Sequence, residues 1–310
     1  MKHHCKYLHA WQVGRPGWYV VFFTAILGGT LRAADVDNDR MDDSYEITHG
    51  LAVGVDDRHG DKDGDGFPNL AEYLKNTSAS DAGSVPTADR MVGTGETYTT
   101  ISSALASLTA DDQIIVVKPG VYAESVGNTG AGAKRVFIIS ESVDPNITTL
   151  KPASGSTISS SKDLYLRGFT LSSAGGNGVG LTGSGSHGIV QCVLHGHSHG
   201  IYSQPASSSA RNFVDVIGSI VLNGSGSGIY GATNASTFRL VHTTICGQAS
   251  YAIYNSTSGG GGSTYTLTNC VMWNNGSSEF SMSGGAVTAT YSCIKGSSVY
   301  SGTGNIRACY

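Results

Sequence analysis

The 310-residue sequence has little charge and little proline, and it contains no long apolar run. Only 14% of its residues are charged, against about 25% in an average domain, and only seven are proline. With a formal net charge of −4, the chain lacks the basic character of nucleic-acid-binding proteins, so no nucleic-acid partner is expected. Collagen and polyproline linkers are excluded, because proline is scarce and the glycines follow no three-residue period.

The cysteines give no sign of a zinc site. The sequence has six cysteines and no Cys-x-x-Cys motif. Three of them, Cys192, Cys270 and Cys293, are assigned to equivalent places in the repeats described below. Cys270 and Cys293 then belong to adjacent coils, which predicts either a stack of buried thiols or a disulfide between these two residues.

The few charges are unevenly distributed along the chain. Residues 1–34 carry four basic and no acidic residues, whereas residues 35–90 carry fourteen acidic and five basic ones. Residues 91–310 are nearly balanced, with nine acidic and ten basic residues. The distribution indicates three parts, namely a basic leader, an acidic module and a neutral body rich in glycine, serine and threonine.

The leader, residues 1–33, has the composition of a secretory signal peptide. Basic residues such as Lys2 and Lys6 precede the apolar residues 18–27, and small residues follow up to Ala34. The apolar run is short for a bilayer span, so no stable membrane span is expected after cleavage. An uncleaved anchor and a buried helix are the alternatives. A signal peptide implies that the mature protein is secreted or lies at the cell surface.

Two acidic segments have the spacing of calcium-binding loops. Residues 61–72, called loop 2 here, fit the pattern D-x-[DN]-x-[DN]-G-x5-E at every fixed position. Calcium takes six to eight oxygen ligands, which alternate positions of such a loop supply. The predicted ligands are Asp61, Asp63, Asp65, the backbone carbonyl of Phe67, Asn69 and Glu72.

Loop 1, residues 35–46, is a weaker copy that lies 26 residues upstream of loop 2. Arg40 stands where the pattern requires glycine, which is expected to strain the turn and weaken the site. The predicted ligands of loop 1 are Asp35, Asp37, Asp39, the backbone carbonyl of Met41, Asp43 and Glu46.

Residues 35–80, called the acidic module here, resemble the EF-hand-like, thrombospondin-type-3-like calcium modules found near the N-termini of secreted bacterial proteins. The resemblance implies structural Ca²⁺, with dissociation constants on the order of 10⁻⁴–10⁻³ M. Pro68 departs from the EF-hand pattern, because it lacks the free amide that helps to pair two loops. A solvated acidic linker is the alternative interpretation, and residues 81–92 are expected to be a linker.

From about residue 163 the sequence repeats itself. Short β-branched segments recur at intervals of 22 to 28 residues, without a helix-length segment between them. One coil of this length buries its inward side chains only when other coils stack on it, so the repeats predict a parallel β-solenoid. The segments end at Leu171, Leu194, Leu222, Cys246, Met272 and Ile294.

The start of the body resembles the opening of pectate-lyase-like right-handed parallel β-helices, which begin with a capping helix and a Pro-Gly-x-Tyr-x-Glu coil. The corresponding residues are Thr100, Ile101 and Pro119-Gly120-Val121-Tyr122-Ala123-Glu124. The resemblance covers about residues 93–306 and implies an all-β fold, a right-handed parallel β-helix over residues 93–310. The superfamily holds lyases, hydrolases, esterases and inert surface proteins, so it implies no single activity. The last coil has no visible cap, which predicts a truncated C-terminus.

Carboxylates are almost missing from the coils. After residue 164 the only acidic residues are Asp215 and Glu279, which are assigned to coils about 10 Å apart at ~4.8 Å per coil. Cleavage of a polysaccharide by acid–base chemistry needs carboxylates beside the same sugar. No residue is therefore assigned a catalytic role, and Glu124 is interpreted as part of the first turn and its cap.

Two sets of side chains are candidates for ligand binding. His195, His197 and His199 alternate along one segment, so their imidazoles are candidates for a metal or a sugar contact; the alternative is an exposed polar turn. The second set, Tyr202, Tyr230 and Tyr254, follows an isoleucine or its equivalent at one register. These tyrosines form either an outward ladder for sugar rings or an inward aromatic stack.

The sequence favours a non-catalytic, secreted or cell-surface β-helix protein with structural calcium. Its expected partner is a polysaccharide or a cell-surface glycan, unless the protein serves only as a structural surface element. The alternatives are a polysaccharide-active enzyme, either a pectate-lyase-like lyase or a glycoside hydrolase, and an adhesin-like passenger.

Overall fold

The computed structural model of the protein describes residues 34–142, 144–207, 209–232, 235–256, 262–276, 278–296 and 299–307. The predicted signal peptide lies outside these residues. None of the helices in the described ranges is long and apolar enough to cross a membrane. These helices are α1 (Asp43–His49), α2 (Asn69–Lys75) and α3 (Ile101–Ala106).

Short strands, numbered β1 to β24 in chain order, form three parallel sheets. The first sheet contains β1 (Arg90–Val92), β2 (Gln113–Val117), β5 (Val136–Ser140), β8 (Leu164–Arg167), β11 (Gly185–Val190), β14 (Asn212–Ile217), β17 (Thr237–Val241), β20 (Thr264–Thr268) and β23 (Ala286–Thr290). The second contains β3 (Gly120–Tyr122), β6 (Thr148–Leu150), β9 (Thr170–Ser172), β12 (Val193–His195), β15 (Ile220–Leu222), β18 (Thr244–Cys246), β21 (Val271–Trp273) and β24 (Cys293–Ile294). The third contains β4 (Val126–Asn128), β7 (Ile158–Ser160), β10 (Val179–Leu181), β13 (Ile201–Ser203), β16 (Ile229–Ala232), β19 (Tyr251–Ser256) and β22 (Ser278–Ser283).

Each strand pairs with the strands one coil before and after it, and every pairing is parallel. In the first sheet, for example, Val216 pairs with Ile189 of the preceding coil and with Leu240 of the next. The result is a β-solenoid of about eight turns, and the predicted right-handed parallel β-helix is confirmed.

Stacked aliphatic side chains form the core of the solenoid. Along β14, Val214 and Val216 are buried. Phe213, which precedes Val214, faces outwards and is 52% exposed. Because the register is in step from coil to coil, the inward residues make continuous columns. One column runs Leu166, Ile189, Val216, Leu240, Leu267 and Ala289.

The corner between the first and second sheets explains the positions of the cysteines. At this corner a residue with positive φ, such as Asn269 at 55°, is followed by a small buried side chain. That side chain donates to a carbonyl of the preceding coil, as Cys270 Sγ does to Leu240 O at 3.4 Å. The small residues of successive corners are Cys192, Ser219, Thr243, Cys270 and Ser292.

Both sequence-based expectations for the cysteines are therefore wrong. Cys293 lies one position beyond the corner and pairs with Val271, so it is not equivalent to Cys270. Cys192 and Cys270 are free and buried, but Ser219 and Thr243 lie between them in the column. The structure thus contains neither a Cys270–Cys293 disulfide nor a thiol stack at these positions. The hydrophobic pattern did not reveal this one-residue shift, because the corner residue with positive φ differs in amino-acid type from coil to coil.

Helix α3 covers the first coil of the solenoid. Its residues Ile101, Ala104 and Leu105 are buried in the core. The Glu124 carboxylate accepts hydrogen bonds from the backbone amides of Ile101 at 2.6 Å and Ser102 at 2.9 Å. Glu124 therefore satisfies amides at the helix start, in line with its structural interpretation.

The acidic module packs on the outer face of the first sheet. Met41, Leu70 and Ala71 of the module join a second buried cluster with outward side chains of β2, β5, β8 and β11, including Phe137 and Tyr165. Residues 34–310 accordingly form one compact unit. The segment expected to be a linker, residues 81–92, ends in strand β1, which pairs with β2. The solenoid thus starts at Arg90 rather than at residue 93.

The stacked core makes the cost of a cavity predictable. We expect Leu240→Ala to lower the free energy of unfolding by about 2–5 kcal/mol, because Leu240 is fully buried between coils. Urea titration measures this change. The exposed threonine of the neighbouring strand provides the control, and Thr266→Ala is expected to stay within about 0.5 kcal/mol of the parent. Equal losses for both variants would contradict the stacked core.

Candidate functional site

Loop 2 brings its first three carboxylates together. Oxygens of Asp61, Asp63 and Asp65 lie within 4.8 Å of one another. Hydrogen bonds from backbone amides of the loop to Asp61 stabilise its tight turn. Gly64 N–H donates to Asp61 Oδ1 at 2.8 Å, and Gly66 N–H donates to Asp61 Oδ2 at 3.1 Å. Gly66 has a φ of 108°, which favours glycine at the position where the pattern requires it.

Glu72 of helix α2 lies near enough to this cluster for its charges to act on the Glu72 carboxyl. Glu72 is fully buried, and neither of its carboxylate oxygens has a hydrogen-bond partner among the described residues. Burial, and then the charges of Asp63, Asp65 and Asp61, raise the pKa of Glu72 to about 8. A buried carboxylate without a partner is costly, and a bound cation offsets that cost. A donor set made only of oxygens suits Ca²⁺.

Asn69, which the sequence assigned as a ligand of loop 2, connects two parts of the module. Its side-chain oxygen accepts the Lys62 amide at 3.2 Å, and its side-chain nitrogen donates to the Asp57 carbonyl at 3.0 Å. These contacts hold Asn69 at the base of the loop, and the structure gives it this bridging role. The carbonyl ligands from Phe67 and Met41 stay predictions.

Loop 1 repeats the arrangement around helix α1. Oxygens of Asp35, Asp37 and Asp39 lie within 4.8 Å of one another. Glu46 projects from α1 and is fully buried, and in the part of the chain that the structure describes neither of its oxygens has a hydrogen-bond partner. Burial is the main cause that raises the pKa of Asp39 to about 6 and that of Glu46 to about 7.

Arg40 accounts for the missing glycine of loop 1. The residue adopts a φ of 78°, a conformation that side chains rarely take. Its guanidinium makes ion pairs with Asp112 at 2.6 Å and with Asp163 at 3.5 Å, both on the solenoid. Arg40 therefore strains the turn of loop 1, but its two ion pairs hold this loop against the solenoid.

Arg167 links loop 2 to the solenoid. The residue is 4% exposed, and its Nη2 lies 3.2 Å from Asp61 Oδ2. Its Nε donates to the Gln191 side-chain oxygen at 2.9 Å. The guanidinium of Arg167 on the solenoid thus holds Asp61, a predicted metal ligand, in place. The sequence shows Arg167 as an isolated basic residue and gives no indication of this contact.

A second polar contact holds the module near the middle of the sheet. Asp215 Oδ2 accepts from His59 Nδ1 at 2.9 Å and from Arg239 Nη2 at 2.6 Å. Arg239 also donates to the backbone carbonyl of Asp56 at 2.8 Å. Burial raises the pKa of Asp215, but the hydrogen bonds and charges of His59 and Arg239 outweigh it and lower the pKa to about 2.

Gly188 makes room for His59. A Cβ atom at this position would lie 2.8 Å from the Tyr165 ring and 3.0 Å from the His59 ring. The glycine on β11 therefore allows the module to sit directly on the sheet, next to the ion pair of Asp215.

Asp215 and Glu279, the two acidic residues after residue 164, do not form a catalytic pair. Asp215 lies on the first sheet beneath the module, whereas Glu279 lies on β22 of the third sheet. Glu279 is 5% exposed and accepts hydrogen bonds from Asn275. Each carboxylate thus serves a structural contact.

The three histidines point in different directions. His197 is buried, and its Nε2 donates to Leu171 O at 2.9 Å, while burial lowers its pKa to about 4. His199 lies near the surface, where its Nδ1 accepts the Ser227 amide at 3.1 Å. His195 sits on the outer face of β12 in the second sheet. Among the described residues, no cluster of possible metal ligands includes a histidine.

Tyr202, Tyr230 and Tyr254, called the tyrosine ladder here, lie in register on β13, β16 and β19. Their neighbours Ile201, Ile229 and Ile253 are buried, so the tyrosines face outwards from the third sheet. Ring centroids are 5.2 Å apart at the first step and 5.0 Å at the second. The outward arrangement is the one that the structure shows.

His199 extends the tyrosine ladder. Its ring centroid lies 4.8 Å from that of Tyr230 and 6.1 Å from that of Tyr202. Tyr251 adds a further ring 5.5 Å from Tyr254. The third sheet therefore carries a continuous, partly exposed aromatic surface along three coils.

No protein-family model and no curated protein matches the chain. Among solved structures, a pectin methylesterase from Aspergillus niger is 13% identical, with 73% of this chain and 89% of that chain covered and a TM-score of 0.45. A pectin methylesterase from carrot is 12% identical, with 73% and 86% covered and a TM-score of 0.42. A likeness of this degree carries no inference about the activity of the chain.

The Asp215 contact predicts a pH dependence. We expect Asp215→Asn to destabilise the protein by on the order of 2 kcal/mol near neutral pH, because the carboxylate is stabilised in the folded state. Since its folded-state pKa lies below the unfolded value, this stabilisation is complete above about pH 4 and is lost as the pH falls towards 2. Urea unfolding of both proteins between these values and neutral pH measures the difference.

Asp144→Asn is the control for this experiment, because Asp144 is exposed and its carboxylate accepts hydrogen bonds from Asn146 of the same turn. We expect its stability to differ little from that of the parent at every pH. A difference between Asp215→Asn and the parent that grows with acidity would reverse the predicted sign.

Proposed function

We propose that the protein is a secreted or cell-surface β-helix that binds a polysaccharide at the tyrosine ladder, with Ca²⁺ held in the acidic module. The observation that carries the proposal is the outward, in-register placement of Tyr202, Tyr230 and Tyr254 on a sheet face that the module leaves uncovered. Secretion rests on the leader sequence, which has the features of a signal peptide.

Aromatic rings on a regular β-surface suit the apolar faces of sugar rings. A tyrosine presents a rigid apolar ring together with a polar hydroxyl, so it loses little entropy on binding. The hydroxyl of Tyr202 donates to the Gln204 side chain at 2.9 Å, which places a polar group at the end of the ladder. The spacing of one ring per coil repeats along the solenoid axis and favours an extended ligand over a small one.

A non-catalytic role fits the surroundings of the ladder. Nearby His199 uses Nδ1 to accept a backbone amide, and burial lowers its pKa. Asp215 lies on the first sheet, where it binds Arg239. Glu279 lies on β22, the strand next to β19, but it is buried and accepts a hydrogen bond from Asn275. Within the described ranges, the ladder therefore has no pair of acid and base groups beside it.

Calcium has a structural role in this proposal. The two buried glutamates lie at the base of loops that dock on the first sheet, so a cation in each loop neutralises charge at that contact. Dissociation constants on the order of 10⁻⁴–10⁻³ M suit the calcium levels outside cells.

The tyrosine ladder predicts where binding is lost. We expect Tyr230→Ala to weaken binding to a recognised polysaccharide by at least about tenfold, because Tyr230 contacts a ring on either side of it. Affinity electrophoresis against a panel of neutral and acidic polysaccharides measures the change.

Phe213→Ala is the matched control, because it removes an exposed aromatic ring from the first sheet. Retardation should be unchanged in this variant. If Phe213→Ala weakens binding and Tyr230→Ala does not, the ligand lies on the first sheet. Release of shortened, unsaturated or demethylated products from any polymer would contradict the non-catalytic role.

The acidic module predicts stabilisation by calcium. We expect 10 mM CaCl₂ to raise the melting temperature, by mass action of about 1.4–2.7 kcal/mol per site at ten to a hundred times the dissociation constant. Glu72→Gln should reduce this increase, because it removes the buried charge of loop 2. Differential scanning calorimetry with and without a chelator measures it.

Glu141→Gln is the control for the calcium effect, because it changes an exposed glutamate on the solenoid. Its calcium-dependent increase should equal that of the parent. A melting temperature that does not respond to calcium in the parent protein would refute the metal proposal.

A further inference from the structure

We propose that Asp57, which lies outside both loops, is the ligand that closes the calcium site of loop 1. This inference rests on the proposed binding of calcium by the acidic module. In this assignment Asp57 takes the place of Asp43, which the sequence spacing gives as a ligand of loop 1, and the two calcium sites depend on each other.

The position of Asp57 carries the assignment. A carboxylate oxygen of Asp57 lies within 4.8 Å of oxygens from both Asp39 and Glu46, and the three form one group. Asp39 shares a second such group with Asp35 and Asp37. The two groups share Asp39, which thus connects Glu46 and Asp57 to the first carboxylates of loop 1.

Two of these side chains point to a ligand. Asp39 and Glu46 are fully buried. Asp39 Oδ2 and both oxygens of Glu46 have no hydrogen-bond partner within the described ranges. Buried carboxylates that face each other without donors repel one another, and a divalent cation between them offsets that repulsion. Oxygen ligands of this number suit Ca²⁺.

Among the described residues, Asp43 belongs to neither of these groups of carboxylates. Its Oδ1 accepts the backbone amide of Val36 at 3.0 Å, which ties it to the start of loop 1. The Asp57 carboxylate accepts one hydrogen bond on each oxygen, at 3.3 Å from the Ala52 amide and 3.4 Å from the Asn69 side chain. Each carboxylate oxygen has two lone pairs, so one on each oxygen remains for a metal.

The backbone around Asp57 connects it to loop 2. The carbonyl of Asp57 accepts the Gly60 amide at 2.8 Å and the side chain of Asn69 at 3.0 Å. The amide of Asn69, the first residue of α2, donates in turn to Gly60 O at 2.8 Å. Because α2 also carries Glu72, ordering of loop 2 by a cation positions Asp57 for loop 1. The same coupling acts in reverse, since linkage between two sites is reciprocal.

Native mass spectrometry and equilibrium dialysis of the purified protein with CaCl₂ test the inference. We expect two calcium ions in the parent protein. Asp57→Asn, which keeps a side-chain acceptor for Ala52, should weaken one site by at least tenfold. Asp43→Asn should leave both sites unchanged and is the matched control.

The outcomes separate the inference from the proposed function. A parent protein that binds no calcium refutes the proposed metal role itself. Two unchanged sites in Asp57→Asn, together with loss of one site in Asp43→Asn, overturn the assignment and restore the loop pattern. Circular dichroism of both variants shows whether the fold is retained. Asn69→Ala tests the coupling, since it should weaken the site of loop 1 although Asn69 is not one of its ligands.

Discussion

A coil of a β-solenoid buries its inward side chains only against the coils above and below it, and the rest of this structure depends on that constraint. Continuous columns such as Leu166, Ile189 and Val216 need identical register from coil to coil, which aligns the outward residues as well. The first coil has no predecessor, and helix α3 covers it, with Glu124 satisfying the helix amides. Stacking therefore determines the core, the cap and the outer surfaces together.

The outer surfaces of the sheets differ because different side chains recur at outward positions. The first sheet carries apolar residues such as Phe137 and Tyr165, and the acidic module covers them. Polar contacts fix the position of the module. Arg167 of the solenoid pairs with Asp61 of loop 2, and Asp215 of the solenoid pairs with His59 of the module. The third sheet instead carries the tyrosine ladder, which the module does not cover. The two proposed activities of the protein, calcium binding and sugar binding, thus lie on different faces.

Buried carboxylates connect the module to its proposed metal. Glu46 and Glu72 are fully buried and have no hydrogen-bond partners among the described residues. Calcium in both loops would neutralise this charge at the contact with the solenoid. The bridge through Asn69 and Asp57 implies that the two loops order as one unit. An acidic module on a rigid β-helix is therefore better described as part of one domain than as a separate domain on a linker.

Local sequence patterns were sufficient for the coils, the cap at Glu124 and the two acidic loops, because each depends on residues that are close in sequence or repeat at a regular interval. The same patterns misplaced Cys293 by one residue, since the conformation of the corner residues is not periodic. Docking was not visible at all: Arg167 and Asp61 are more than a hundred residues apart. Contacts between residues so far apart in sequence depend on how the chain folds back on itself. Local sequence patterns carry no information about them.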